Sequence, residues 1–263
     1  MMSSARVDID TSDFTRISLQ ESEKAQLMQR IDSKFIINTE LAKDLLLKIT
    51  DKYYVVDNNG QVIPEYISDY YDTSDFKMYL DHQNRRPKRY KIRVRNYCAS
   101  GDSFLEIKIR VPSGKTIKKR IPATNQEINK NNISEFISNK SPYSLGDLSQ
   151  TLETRFNRLT LVSKEFDERI TFDFNLLLTV PNTEKLKQFE DICIIEVKRS
   201  KHKSNSEISQ LLKQLGIRPM GFSKYSIGCA LLYPKIKSNN FKKTFLHIKK
   251  LQNEYIEPYN AVG

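Results

Sequence analysis

The sequence predicts an α+β protein, a closed antiparallel β-barrel of about eight strands with a basic interior and helices packed outside. Three observations lead there. Several short stretches carry charge on alternate residues, most clearly Arg89-Tyr90-Lys91-Ile92-Arg93-Val94-Arg95. As a strand this sets Arg89, Lys91, Arg93 and Arg95 on one face and Tyr90, Ile92 and Val94 on the other. Turn residues at Asn58-Asn59-Gly60, Gly101 and Ser113-Gly114 separate such stretches. Segments such as 41–49 and 204–215 carry apolar faces at helical spacing and need a sheet to rest on.

Taken in order, Ser18 followed by Glu21 reads as a capping box opening a helix over 19–29. A strand follows over 30–37, and Thr39 is placed to cap a helix with Leu41, Leu45 and Ile49 on one face. Strands over 53–56 and 61–71, joined at Asn58-Asn59-Gly60, read as a hairpin. Asp72-Thr73 breaks into a short helix with Phe76 and Tyr79. Strands are expected over 89–97, 103–111 and 116–121. Residues 125–152 are polar and read as helical pieces. Further strands fall over 155–162, 169–174 and 192–198. A helix over 204–215 ends at Gly216, and another over 223–232 stops before Pro234. The organisation is a polar segment and helix (1–29), one large domain (30–234), and a basic C-terminal helix (235–263). In that last segment Phe241, Phe245, Ile248 and Leu251 keep helical spacing among solvated lysines.

The chain has 263 residues, 38% hydrophobic and 29% charged, ordinary for a folded soluble protein. Its net charge of +11 points to acidic partners. Cys98, Cys193 and Cys229 show neither disulfide nor metal spacing, which suits a reducing compartment. Residues 1–13 lack the apolar core of a signal peptide, and no run reaches a membrane span. A cytoplasmic protein follows as the expectation, possible contact with the inner face of a membrane resting on the basic tail.

The charged faces, strand by strand, are Arg30, Asp32 and Lys34; Arg89 to Arg95; Glu106, Lys108 and Arg110; Lys118 and Arg120; Arg158; Arg169 and Asp173; Glu196 and Lys198. One such face alone is the wet side of an ordinary sheet. The set is unusual in its arginine, which suits bidentate phosphate contacts. If helices cover the outside, the charges point inward. Two like charges about 5 Å apart cost roughly 3 kcal/mol at an effective dielectric of about 20, so a bound polyanion is the natural occupant. Phosphoryl transfer also needs a divalent cation, Mg²⁺ or Mn²⁺, held by one or two carboxylates and phosphate oxygens. Glu196 and Glu106 are the candidates, each two residues before a lysine; Asp173 and Asp32 come second. A plain ion pair with the neighbouring lysine is the competing role for each.

Several motifs follow in a telling order: Arg30-Ile-Asp-Ser-Lys34-Phe35, Tyr71-Asp72-Thr73, Tyr79 with His82, Arg93-Val-Arg95-Asn-Tyr97, Phe104-Leu-Glu106-Ile-Lys108 and Thr116-Ile-Lys118-Lys-Arg120. Arg155-Phe-Asn-Arg158, Glu168-Arg169-Ile-Thr-Phe-Asp173, Ile195-Glu196-Val-Lys198 and Ser223-Lys224-Tyr225 complete them. This order resembles the vacuolar transporter chaperone (VTC) domain, the polyphosphate polymerase branch of the triphosphate tunnel metalloenzymes, over about residues 30–232. The resemblance implies a tunnel-forming barrel and transfer of the γ-phosphate of ATP onto inorganic polyphosphate with release of ADP. It implies phosphate contacts from Lys34, Arg93, Arg95, Lys108, Lys118, Arg158, Arg169, Lys198 and Lys224, with Glu196 on the metal and Arg120 assisting. His82 stands where eukaryotic polymerases tend to place an arginine, either as a phosphate donor or as a helix cap. A small membrane-protein partner is a further implication.

Two departures stand out. The superfamily's Glu-x-Glu-x-Lys reads Arg30-x-Asp32-x-Lys34, which argues against the hydrolase and cyclase branches. Gly221 replaces a lysine that polymerases carry three residues before the position of Lys224. The rival readings are a tunnel-fold triphosphatase and a non-enzymatic polyanion-binding module. Single-stranded RNA is disfavoured on the expectation that the aromatics near Arg93 alternate onto the opposite face from the arginines.

Overall fold

The computed structural model describes residues 8–254 apart from 26, 28, 124–129 and 204–205. Its strands are β1 (Thr15–Ser18), β2 (Arg30–Asn38), β3 (Tyr53–Asp57), β4 (Glu65–Asp72), β5 (Arg89–Tyr97), β6 (Asp102–Arg110) and β7 (Thr116–Pro122). β8 (Ser149–Ser163), β9 (Glu168–Thr179), β10 (Leu186–Phe189) and β11 (Ile192–Ser200) follow. The helices are α1 (Leu19–Ser22), α2 (Thr39–Leu47), α3 (Lys77–Gln83), α4 (Lys130–Lys140), α5 (Glu207–Gln214), α6 (Lys224–Leu232) and α7 (Lys242–Glu254). The eleven strands form one sheet, whose main path runs β2-β11-β9-β8-β4-β5-β6-β7. All pairings on that path are antiparallel; the short β1 lies parallel to β3.

Alternation decides which way the sheet faces. Phe35, Ile37, Phe172, Ile195 and Val197 point outward and bury against Leu45 and Leu46 of α2 and Ile208 and Leu212 of α5. Ile92, Leu105 and Ile107 do the same against Ile137 of α4. Charged residues of the opposite parity are thereby turned to the concave side. On that concave side Leu152, in one row with Tyr70 and Arg93, packs with Leu176 and Leu178 against Tyr225, Ile227 and Cys229 of α6 and Ile248 of α7. Residues of both terminal strands, Lys34 of β2 and Lys118 of β7, line the same cavity of 1390 Å³. The sheet therefore wraps most of the way round.

Several expectations are corrected. No ladder joins β7 to β2 among the described residues, so hydrogen bonding does not close the barrel. β7 is exposed along most of its length, which suits an edge strand. β3 and β4 are not a hairpin: only the bridge Asn58–Gln61 links them, and they pair with successive stretches of β8, a strand longer than expected at 15 residues. The capping box at Ser18 forms, but its helix ends at Ser22. Asn38, not Thr39, caps α2. Part of the polar stretch expected over 125–152 lies outside the described residues; the rest holds α4, a 3₁₀ turn and the start of β8. Among the described residues, no helix is long and apolar enough to cross a membrane.

Two contacts fix α3 and α6. Fully buried Asp72 accepts hydrogen bonds from the backbone of Thr73 (2.8 Å), Met78 (2.9 Å) and Tyr79 (2.9 Å) and from the Tyr225 hydroxyl. Gly228 lets α6 approach β8 closely, since a Cβ there would stand 2.5 Å from Leu152 Cδ2. Asp72→Ala strands three N–H groups and a phenol, and is expected to lower unfolding free energy by about 3 kcal/mol in urea titration. Loss of under 0.5 kcal/mol would refute this role.

Candidate functional site: a cationic cavity

Antiparallel register sorts the cavity-facing side chains of β5, β6 and β7 into rows. Arg89 stands beside Arg110, Lys91 beside Lys108 beside Lys118, and Arg93 beside Glu106 beside Arg120. Arg95 faces Phe104 in the next row. Directly paired residues have Cβ atoms about 5 Å apart, so the lysine row starts three cationic side chains side by side on one wall. Across the cavity, Lys34, Glu196 and Thr171 lie in register, with Asp32, Lys198 and Arg169 one row on. Arg158 and Asp173 pair on β8 and β9. Fifteen lysines and arginines line the cavity against five carboxylates.

Three carboxylates, Glu106, Asp173 and Glu196, are each clamped between two cations. Glu106, 0% exposed, takes Arg93 at 2.6 and 2.8 Å through one oxygen and Lys118 through the other. Asp173 takes Arg158 at 2.6 and 2.8 Å, and Lys224. Glu196 takes Lys34, and Lys198 at 3.4 Å. Burial alone would raise all three acids. Arg93 and Lys118 outweigh it at Glu106 and hold it at about 2. Arg158 and Lys224 hold Asp173 far below the usual carboxylate range, as Lys198 and Lys34 do Glu196. All three are ionised at neutral pH and are poor proton acceptors.

The cations feel the opposite pressure. Burial, with Arg89, Arg93 and Lys34 nearby, pushes Lys91 down to about 7. Arg93 first, then burial and Arg95, push Lys108 well below its ordinary value. Lys224 falls to about 8 through burial, despite Asp173. Arg95, 8% exposed, donates to Ser68 Oγ at 3.0 Å and lies 5.7 Å from the Tyr66 and Phe156 ring centres; burial, Arg93 and Arg158 lower it to about 10.

Lys34, Arg93, Arg95, Lys108, Lys118, Arg120, Arg158, Arg169, Lys198, Lys224, His82 and Glu196 all reach the cavity wall. Glu106 lies beneath it, under Arg93 and Lys118. Arg169 leans away to the Ser22 carbonyl (2.6 Å), tying α1 to the wall. His82 sits inside α3 rather than beyond its end, with its ring parallel to Phe241 at 6.0 Å. Burial, Lys91 and Arg89 hold it neutral at about 3. Lys91 escaped the residues singled out by motif, although its phase with Arg93 signals it. Its Nζ donates to Ser223 Oγ at 2.7 Å, placing an ammonium two residues from Gly221. A Cβ at Gly221 would meet nothing within 4 Å, so sterics do not forbid the missing lysine. The expected separation of aromatics from arginines fails. Tyr97 shares the phase of Arg95, and Tyr66, Tyr70 and Tyr97 all face the cavity.

The VTC domain family model matches residues 29–233. The chain belongs to the VTC domain family. Among solved structures, this VTC domain resembles a candidate adenylyl cyclase from Hippeastrum described as having a dominant triphosphatase activity. The TM-score is 0.51 at 15% identity, covering 77% of this chain and 96% of that one. A candidate adenylate cyclase from Bacillus halodurans aligns at TM-score 0.48 and 13% identity, covering 74% and 93%. No curated protein matches by sequence. The likeness to the Hippeastrum protein is one of fold.

An anion among the lysines favours their charged forms and so raises the Lys91 value above about 7. Binding then takes up protons at pH 8, and affinity falls as pH rises through 7 toward the bound value. Calorimetry with tripolyphosphate in buffers of different ionisation enthalpy should show this uptake in the native protein and a smaller one in Lys91→Met. An equal uptake in both would assign the proton elsewhere.

Proposed function

We infer that this chain is a metal-dependent polyphosphate polymerase, transferring the γ-phosphate of ATP to the end of an inorganic polyphosphate held in the cavity. The observation that carries the reading is the lysine row with the arginine rows on either side. Like charges in register on a partly buried wall are mutually destabilising until an anion with charge spaced along its length lies across them. Chain phosphates meet that requirement.

The choice of transfer over hydrolysis rests on the carboxylates. Water attack is helped by a group that accepts or orients a proton, and Glu106, Asp173 and Glu196 are all held ionised by paired cations. A terminal polyphosphate oxygen is already anionic and needs no base. The new P–O bond forms to that oxygen, the bond from γ-phosphorus to its bridging oxygen breaks, and ADP leaves with the electron pair. No net proton transfer is required. Arg93, Arg95, Lys108 and Arg158 hold the phosphates in line, while Lys34, Lys118, Arg120, Lys198 and Lys224 neutralise charge along the path. Neutral His82 has one N–H for a phosphate oxygen.

Among the described residues, no three His, Cys, Asp or Glu side chains converge into a ready-made metal cage. The donor set suits a cation that arrives with the nucleotide and completes its shell from phosphate oxygens. Glu196 is on the wall and would hold it; Glu106 would act from behind by fixing Arg93 and Lys118. A bound Mg²⁺ or Mn²⁺ would supply charge compensation at the transferring phosphate.

Incubation with ATP, Mn²⁺ and a short polyphosphate primer should give long, phosphatase-resistant chains on a gel. Lys34→Ala and Glu196→Ala are each expected to slow chain growth by about 10²-fold or more. Free phosphate without chains would make the protein a triphosphatase. Tight polyphosphate binding without turnover would make it a binding module.

A further inference from the structure

The two ends of the cavity differ chemically. At one, β5 begins with Arg89 and β6 ends with Arg110, and Arg85 from the loop after α3 joins them on the wall. Asn240, Phe241 and Thr244, leading into and opening α7, complete this mouth. Asn240 donates to the Gln83 carbonyl, and Lys237 Nζ donates to Asn84 Oδ1 at 3.2 Å, so the 84–88 loop and the start of α7 are held together. Their chain neighbours Arg86, Lys88, Lys242 and Lys243 are exposed around the opening. None of the carboxylates lining the cavity is at this end. Asp173 and Glu196 belong to the middle, each already paired, and Glu23, Asp32 and Asp102 to the far mouth.

The far mouth is aromatic. Tyr66 meets Tyr97 edge-on at 5.3 Å, Tyr97 meets Phe104 at 5.9 Å, and Arg120 lies 4.5 Å from the Phe104 ring centre. Arg89 and Tyr97 are the two ends of the nine-residue β5, roughly 27 Å apart along the strand.

We propose that polyphosphate leaves through the Arg85–Arg89–Arg110 mouth, where Arg86, Lys88, Lys242 and Lys243 form a basic collar that binds chain already made. The nucleoside of the donor lies at the Tyr66–Tyr97–Phe104 mouth. This rests on the polymerase reading. An extended polyanion is drawn toward cations free of competing carboxylates, and the positive end of α7 adds to that field. A neutral base gains from stacking on the half-buried rings, and Glu23, Asp32 and Asp102 offset part of the positive charge at that mouth. The collar acts on chains longer than the cavity and is silent toward a triphosphate.

The test is equilibrium binding to the full chain, with inorganic tripolyphosphate, long-chain polyphosphate and ATP as probes at two salt concentrations. The variant Arg86→Ser/Lys88→Ser/Lys242→Ser/Lys243→Ser changes only exposed side chains, and its melting temperature checks folding. It should weaken long-chain polyphosphate at least tenfold, with a shallower salt dependence, and leave tripolyphosphate within twofold. Tyr97→Ala should weaken ATP about tenfold and leave tripolyphosphate within twofold. Native-like long-chain affinity in the collar variant, or equal loss of both polyphosphates, overturns the exit assignment. A Tyr97→Ala effect confined to long chains would reverse the direction. If the native protein binds no polyphosphate of any length, the polymerase reading itself falls, a result separate from these.

Discussion

Like charge held inside a curved sheet is the constraint on which this molecule depends. Lys91, Lys108 and Lys118 stand in register with arginine rows to either side, in a place where most proteins would pack apolar residues or mix the signs. Proteins break such local rules mainly at functional sites. The interior carboxylates relieve part of the strain. Each bridges two cations, so Glu106, Asp173 and Glu196 order the wall while leaving the cavity net positive. The remainder is left for an incoming anion to relieve, which turns electrostatic cost in the empty chain into affinity.

That arrangement depends on what lies outside. α2, α4 and α5 each bury an apolar stripe on the outer face of the sheet, which commits the alternating charges to the inner one, while α6 packs on the inner face over Leu152 and Tyr70. Asp72 secures the start of α3 and, through Tyr225, the α6 that carries Lys224 and Ser223 into the site. Gly228 sets how close α6 comes to β8. Function and stability are joined at these points: loosening α6 would move the Lys224 ammonium that faces Asp173 and the Ser223 hydroxyl that faces Lys91.

Burial does different work on different cations. Arginines keep their charge deep in the wall, since even Arg95 is lowered only to about 10. Lys91 and Lys224 come within reach of neutral pH and respond to what occupies the cavity. The arginines therefore form a fixed field, and these lysines a field that strengthens as phosphate arrives. The carboxylates are not spread evenly along the cavity: the end at Arg85, Arg89 and Arg110 has none among its lining residues.

Much of this was legible in the chain. Period-two charge named β5, β6 and β7, and helical spacing named α2 and α5, because alternation and amphipathicity are local properties of a sequence. The ordered motifs named the family, and every candidate phosphate contact they picked out lines the cavity. What escaped was decided by pairing between distant segments. β8 serves β3 and β4 in succession, so two strands that read as a hairpin are neighbours of a third. β1 and β10 are too short to show a period. Glu106 lies under the wall instead of on it because Arg93 and Lys118 cover it from neighbouring strands, and Tyr97 belongs to the cavity because its phase is that of Arg95. The sequence by itself determined which faces are charged and which apolar. Only the tertiary structure decided which cations share a row, which carboxylates they clamp, and whether the sheet's edges join, because register and curvature are set by contacts between residues far apart in the chain.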